Sequence, residues 1–248
     1  MPNLLVLKKD KGFYRIPLLE KFQVRGFITT RDYNMAFEDD FGVSSRRQAY
    51  EAMEVSGHEI VCPNQVHGDG IFFTVRAQRG CGGLNRITAI DATDAFVTDA
   101  RRLPMGILTA DCLPIFILDK NRKAMALIHA GWRGIEKLII SKTVYAMVSR
   151  LSVKPSELLV VVGPSIRPCC YEVGEEFLQH FDNFLIWRGK KIYFDLQEAA
   201  MDQLVASGIR KDAIYDSLIC TSCHNNEFFS YRKEGSGAGR SMFLVEML

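Results

Sequence analysis

The sequence has no apolar run approaching the ~20 residues that a membrane-spanning helix needs, so no membrane segment is expected. Its opening, MPNLLVLKKDKGFYRIP, puts a short apolar patch before the charges, the reverse of an export signal, which predicts a soluble cytoplasmic protein. Neither sign of charge dominates. Lys and Arg number 31 against 29 Asp and Glu, and the basic residues are scattered, so no nucleic-acid partner is expected. Internal repeats, low-complexity tracts and Pro/Gly/Ser linkers are missing, which leaves one domain over residues 1–248 as the simplest reading. Histidine is scarce, at five, and that argues against a multicopper centre. A second CxxC to complete a zinc knuckle with Cys220 and Cys223 is also missing. The seven cysteines are odd in number, and without an export signal they read as reduced thiols or metal ligands, not as a disulfide framework. Cys220 and Cys223 read as a reduced pair near a turn, and the vicinal Cys169 and Cys170 as packing.

What is present suffices for a packed core: 48% of the 248 residues are apolar. Strands are expected at 4–7, 14–17, 24–29, 59–62 and 71–75, with a helix over 44–56 opened by Ser44 and a glycine-rich loop at 79–85. Segments 95–98, 105–109, 114–119, 124–128 and 158–162 read as buried strands. A helix is expected over 135–151, others near 174–181 and 196–207, and closing strands at 228–232 and 242–246. Strands and helices interleave with hairpins among them, which predicts an α/β (α+β) protein with mixed sheets flanked by helices.

The stretch TADCLPIF sets Asp111 and Cys112 in an otherwise apolar run. A hairpin centred between Lys120 and Asn121 places Cys112 across from His129, within reach of a shared ligand or a thiolate–imidazole pair. His129 opens HAGWRG, whose glycines permit a tight turn into a helix, and the first amides of that helix with Arg133 would seat an anion such as phosphate. His67 lies in CPNQVHGDG, among polar and glycine residues where loops commonly carry function. Two imidazoles and one thiolate suit zinc, and three protein ligands leave a fourth position open to water or substrate. Asp111 would orient a ligand or move protons. Each feature has a plainer alternative: a core Cys112 beside an Asp111 paired to a backbone amide, a glycine-rich turn with a surface arginine, an exposed loop histidine. Trp132 and Phe228-Phe229-Ser230-Tyr231 are candidates for stacking a planar ligand, though such aromatics are usually core.

The ordered motifs NQVHG (64–68), DATDAFVTD (91–99), TADCLPIF (109–116), HAGWRG (129–134), GPSIRPCCYEVGEEF (163–177) and CTSCHNNEFFSYRKEGSGAGR (220–240) resemble the YfiH family. That family is labelled a multicopper polyphenol oxidase or laccase domain and is associated with purine nucleoside phosphorylase and adenosine deaminase activity. The resemblance implies a metal on His67, Cys112 and His129, and a layered α/β fold also seen in a bacterial toxin deamidase that uses a Cys and His pair. It further implies substrate-facing roles for Arg31 and Asn34, although Thr30 to Met35 is compressed and lacks the family's paired glycines. The reading is a zinc-dependent enzyme, with copper as the alternative ion, acting on a purine nucleoside and phosphate. Adenosine deamination is the companion activity, with Asp111, Cys112 and His67 at the reacting centre and Arg31, Asn34 and Arg133 on the substrate. The alternatives are a copper phenol oxidase and a Cys112–His129 hydrolase or amidase, for instance one editing cell-wall precursors. Nothing in the sequence fixes an oligomeric state.

Overall fold

Alternation along Leu113–Asp119 sets the architecture. Leu113, Ile115 and Ile117 project into one apolar cluster, while Phe116 and Leu118 project into another, so this strand is buried on both faces. In the computed structural model, which describes residues 2–37 and 40–248, it lies at the centre of a seven-stranded mixed sheet. The strand order is Asn3–Leu4, Ile214–Asp216, Leu158–Val162, Leu113–Asp119, Met125–Ala130, Ala95–Thr98 and Ile71–Phe73. The three central pairings are antiparallel and the outer ones parallel.

A second, five-stranded antiparallel sheet runs Lys8–Asp10, Phe13–Arg15, Val24–Thr29, Ser241–Met247, Met105–Thr109. The two sheets share a core in which Phe96, Phe116 and Leu127 meet Met105, Ile107 and Phe243. On the far face of the large sheet, the helices Ile139–Leu151 and Leu196–Ala206 pack through Ile140, Val144, Met147, Ala200 and Leu204. On the far face of the small sheet, Tyr50 and Met53 at the end of the helix Asp40–Ala52 cover Phe13, Phe27 and Leu244. The layers are therefore helices, sheet, sheet, helix, the expected class. A three-stranded ribbon, Glu172–Val173, Lys191–Phe194 and Leu185–Arg188, is attached alongside. No helix among the described residues is long and apolar enough to cross a membrane.

Several local expectations are corrected. The hairpin pairs Leu118 with Met125 and Pro114 with His129, because its four-residue loop spans 120–123 and Asp119 holds it by accepting the Lys123 amide. The register is thus two residues from that expected. A shift of two preserves the face, so Cys112, just before the strand, stays diagonal to His129. The helix expected over 135–151 is two helices, Trp132–Glu136 and Ile139–Leu151, separated where Leu138 takes a left-handed conformation at φ 61°. The helix near Ser44 starts at Asp40, with Ser44 inside it rather than capping it. Residues 228–232 form no strand: Ser230 caps the short helix Tyr231–Glu234 by accepting the Lys233 amide. The strand expected over 59–62 reduces to isolated bridges through Val61.

Candidate metal centre and its cleft

Two connections and one strand end deliver the candidate ligands to one end of the sheets. Cys112 sits in the link between Met105–Thr109 and Leu113–Asp119, where the two sheets exchange chain. His129 is next to last in Met125–Ala130. His67 lies in the loop before Ile71–Phe73 and adopts a left-handed backbone at φ 56°. Their donor atoms lie within 4.8 Å of one another, and the two imidazoles meet edge to face at 4.8 Å between ring centroids. The trio grades from buried His129 through half-buried Cys112 to exposed His67, so one side of the cluster faces the cleft. Gly131 is needed here for space: a Cβ on it would stand 3.1 Å from the Cys112 sulfur and 3.4 Å from the His67 ring.

Asp94 organises the trio, and sequence reasoning passed over it although DATDAFVTD contains it. The side chain is fully buried. Oδ1 accepts hydrogen bonds from the His67 amide (3.1 Å) and from His129 Nδ1–H (2.8 Å). Oδ2 accepts from the amides of Val66 (3.2 Å) and Gly68 (2.7 Å). One carboxylate thereby shapes the loop that carries one imidazole and fixes the tautomer of the other, leaving His129 Nε2 free to face the cluster. The one sequence signal was an acidic residue at the head of an apolar strand.

The electrostatics follow from this packing. Burial opposes ionisation of Cys112, but the imidazoles of His129 and His67 outweigh it and bring the thiol down to about 6. Burial likewise disfavours charge on His129, yet the facing thiolate and Asp94 raise it to about 9. Burial also works against the Asp94 carboxylate, and its bond with His129 overcomes this and holds it below the usual carboxylate range. The donor set, two nitrogens and a sulfur with a carboxylate behind one imidazole, matches a borderline-soft divalent ion.

The cleft beside the trio has a volume of about 800 Å³, within the range of small-molecule sites. Phe37, Trp132, Tyr171 and Tyr231 give it aromatic walls, and Arg86, Arg133, Arg232 and Arg240 give it cationic ones. Arg133 lies 4.2 Å over the Trp132 ring. Of these arginines, the sequence pointed only to Arg133; the others come from segments distant along the chain.

The remaining expected residues have partners within the chain. Arg31 is absent from the cleft lining: it pairs with Glu234 at 2.8 Å and lies over the Phe229 ring. That pairing holds the Glu234 carboxyl down to about 2. Asn34 is likewise outside the lining, with Oδ1 accepting the amides of Ala36 and Arg240. Each of these side chains is engaged with the chain itself, Arg31 through Glu234 and Asn34 through the Ala36 and Arg240 amides. Asp111, at φ 89° beside the thiol, accepts from Thr221 Oγ1 (2.6 Å), Ser230 Oγ (3.0 Å) and the Arg232 amide (2.7 Å). Three donors from one segment make it a pin for the cleft wall. Its buried carboxylate lines the cleft and is satisfied by one backbone amide and two hydroxyls. Cys169, Cys170, Cys220 and Cys223, expected to serve as packing and as an isolated pair, instead come together in one cluster.

A layered α/β protein with a His/Cys/His cluster at the floor of an arginine-rich cleft is the class these observations define. The chain belongs to the family described as multi-copper polyphenol oxidoreductase laccase, whose model matches residues 33–248. Purine nucleoside phosphorylase YlmD of Geobacillus stearothermophilus is 32% identical over 212 residues, covering 82% of this chain and 77% of that one. The crystal structure of YlmD from that organism matches with a TM-score of 0.91 at 28% identity, over 99% of each chain. The structure of the Bacillus licheniformis hypothetical protein YfiH also gives 0.91, at 25% identity, over 98% of this chain and 99% of that one. Adenosine deaminase RL5, from an unknown prokaryotic organism, is 32% identical over 192 residues, covering 74% of this chain and 73% of its own. These likenesses agree with the YfiH resemblance read from the motifs.

Proposed function

We propose that this protein is a zinc-dependent purine nucleoside phosphorylase, converting adenosine or inosine and phosphate to the free base and ribose 1-phosphate, with adenosine deamination as a second activity. The observation that carries the reading is the convergence of His67, Cys112 and His129, backed by Asp94, in a cleft with aromatic and cationic walls. The names of YlmD and RL5 supply the substrate class.

In phosphorolysis a phosphate oxygen attacks C1′ of the ribose, the C1′–N9 bond breaks, and the purine leaves with the bonding pair and takes up a proton. Arg133 would bind and orient the phosphate, with its guanidinium held over the Trp132 ring. Aromatic walls that include Tyr171 and Tyr231 would sandwich the base and exclude water. His67, the exposed member of the trio, is the candidate for holding or moving a proton beside the substrate. Zinc held by His67, Cys112 and His129 would supply a Lewis-acidic centre at the cleft floor. Copper is the alternative ion. With one histidine-containing cluster among the described residues, it would sit in a mononuclear site, which argues against a laccase reaction.

One observation favours a second reading. Asp94, His129 and Cys112 lie in the order of a nucleophile system, with a depressed thiol beside an oriented imidazole, as a metal-free hydrolase or amidase would require.

The test incubates the protein with adenosine or inosine, with and without phosphate, and identifies the products. Ribose 1-phosphate and free base, formed only with phosphate and lost in Cys112→Ala, support phosphorolysis. Ammonia and inosine formed from adenosine without phosphate support deamination. No turnover of either nucleoside by zinc-loaded protein overturns the reading, and a zinc-free protein inactivated by a thiol reagent would favour the second one.

A further inference from the structure

The four cysteines outside the cleft floor form a cluster of their own. Cys169 and Cys170 come from the connection after Leu158–Val162, and Cys220 and Cys223 from the connection after Ile214–Asp216. The two parent strands are parallel neighbours, and the connections stay paired beyond the sheet through a bridge between Ser165 and Cys220. A turn closed by the Cys170 amide on the Arg167 carbonyl brings the vicinal thiols around to the other pair. The Cys223 sulfur lies 3.6 Å from that of Cys169 and 3.4 Å from that of Cys170, and all four sulfurs lie within 4.8 Å of one another.

We propose that Cys169, Cys170, Cys220 and Cys223 bind a second metal ion, a thiophilic divalent cation such as zinc, in a tetrathiolate site that fixes the wall of the cleft. Zinc–sulfur bonds of about 2.3 Å place the corners of a tetrahedron about 3.8 Å apart, close to the separations that Cys223 makes. Four sulfur donors with no carboxylate among them exclude calcium and magnesium, which need oxygen. All four positions are closed by protein, so the site is structural rather than catalytic.

Its function follows from what the two connections carry. Ile166 and Tyr171 line the cleft from one connection, and Tyr231 and Arg232 from the continuation of the other. Thr221, next to Cys220, donates to Asp111 beside the catalytic thiol candidate. An ion joining the connections would hold these groups in register. The proposal does not depend on the nucleoside reading.

The experiment measures metal content in a Cys112→Ala background, which removes the sulfur of the His/Cys/His cluster. Protein expressed in zinc-supplemented medium and freed of loose ions should retain about one equivalent of zinc, and adding Cys169→Ser and Cys223→Ser should abolish it. Because those additions could disturb folding, the Cys112→Ala protein is also loaded with cobalt(II) alone. Strong sulfur-to-cobalt charge transfer with tetrahedral visible bands indicates four thiolates. Zinc that survives the two serine substitutions, a metal-free protein with seven less one reactive thiols, or an intact mass short of two hydrogens under non-reducing conditions would each overturn the proposal.

Discussion

Asp94→Asn probes the arrangement most economically, since it changes one buried atom and tests every element joined there. The carboxylate receives four donors, two on each oxygen. An asparagine keeps one oxygen and presents its own N–H groups to the other two donors, whichever way the amide is turned. Each orphaned buried donor costs ~1–3 kcal/mol, and since the Val66 and His67 amides are only part-buried, water relieves some of this, so roughly 2–4 kcal/mol of stability is lost. If the amide displaces the Val66 and Gly68 contacts, the loop holding His67 loosens. If it displaces the His129 contact, that ring loses the bond that fixes its tautomer. Either way zinc affinity should fall about 10- to 100-fold, equivalent to ~1.4–2.7 kcal/mol. Urea unfolding of the metal-free variant and zinc competition against a chromogenic chelator measure the two effects separately. Stability and affinity both unchanged, within ~0.5 kcal/mol and about twofold respectively, would refute the role given to Asp94.

Other outcomes follow from the same geometry. Gly131→Ala should weaken zinc binding about tenfold without unfolding the protein, because the new methyl presses on the Cys112 sulfur and the His67 ring while its φ of −79° suits alanine; metal titration checks this. In metal-free protein, alkylation of Cys112 followed by peptide mapping should rise with a midpoint near pH 6 instead of the ordinary thiol range, and bound zinc should protect it. The depressed Cys112 contributes stability above its unfolded value that is lost as pH falls through about 6. The raised His129 contributes stability below its unfolded value that is lost as pH rises through about 9. Between those limits the two slopes oppose each other, so the metal-free pair leaves stability nearly independent of pH from about 6 to about 9, which urea midpoints across pH will show. Arg133→Ala should raise the KM for phosphate about tenfold, whereas Arg31→Ala should leave it unchanged and instead lower thermal stability by releasing Glu234, and steady-state kinetics distinguish them.

The parts of the fold readable from sequence are those in which local pattern and burial agree. Ala95–Thr98, Met105–Thr109 and Leu158–Val162 are short apolar runs because both faces of each strand are covered, and their limits coincide with the expected ones. The break at Leu138 was hidden because nothing in an apolar helical period announces a left-handed leucine. Residues 228–232 are rich in aromatic groups as a strand often is, but Ser230 and the Asp111 pin turn them into a cap and a helix.

At the site, His67, Cys112 and His129 stood out because polar or soft side chains interrupt apolar or glycine-rich surroundings. The proximity of Cys112 and His129 could be anticipated from the hairpin despite its two-residue error, since an even slip keeps the face, whereas no local pattern placed His67 beside them. Asp94 and the cleft arginines other than Arg133 gave little signal, because their significance lies in which distant segments the sheet ends bring together. The cysteine cluster was missed for the same reason: its two halves are neighbours only through the parallel pairing of Leu158–Val162 with Ile214–Asp216.

Anomalous diffraction recorded on either side of the zinc edge, from crystals of protein grown with zinc and washed free of excess, addresses the central claim directly. A peak within bonding distance of His67, Cys112 and His129 Nε2, open toward the cleft, is the predicted result. Density with the two imidazoles and the sulfur fully ordered and no scatterer among them would contradict it.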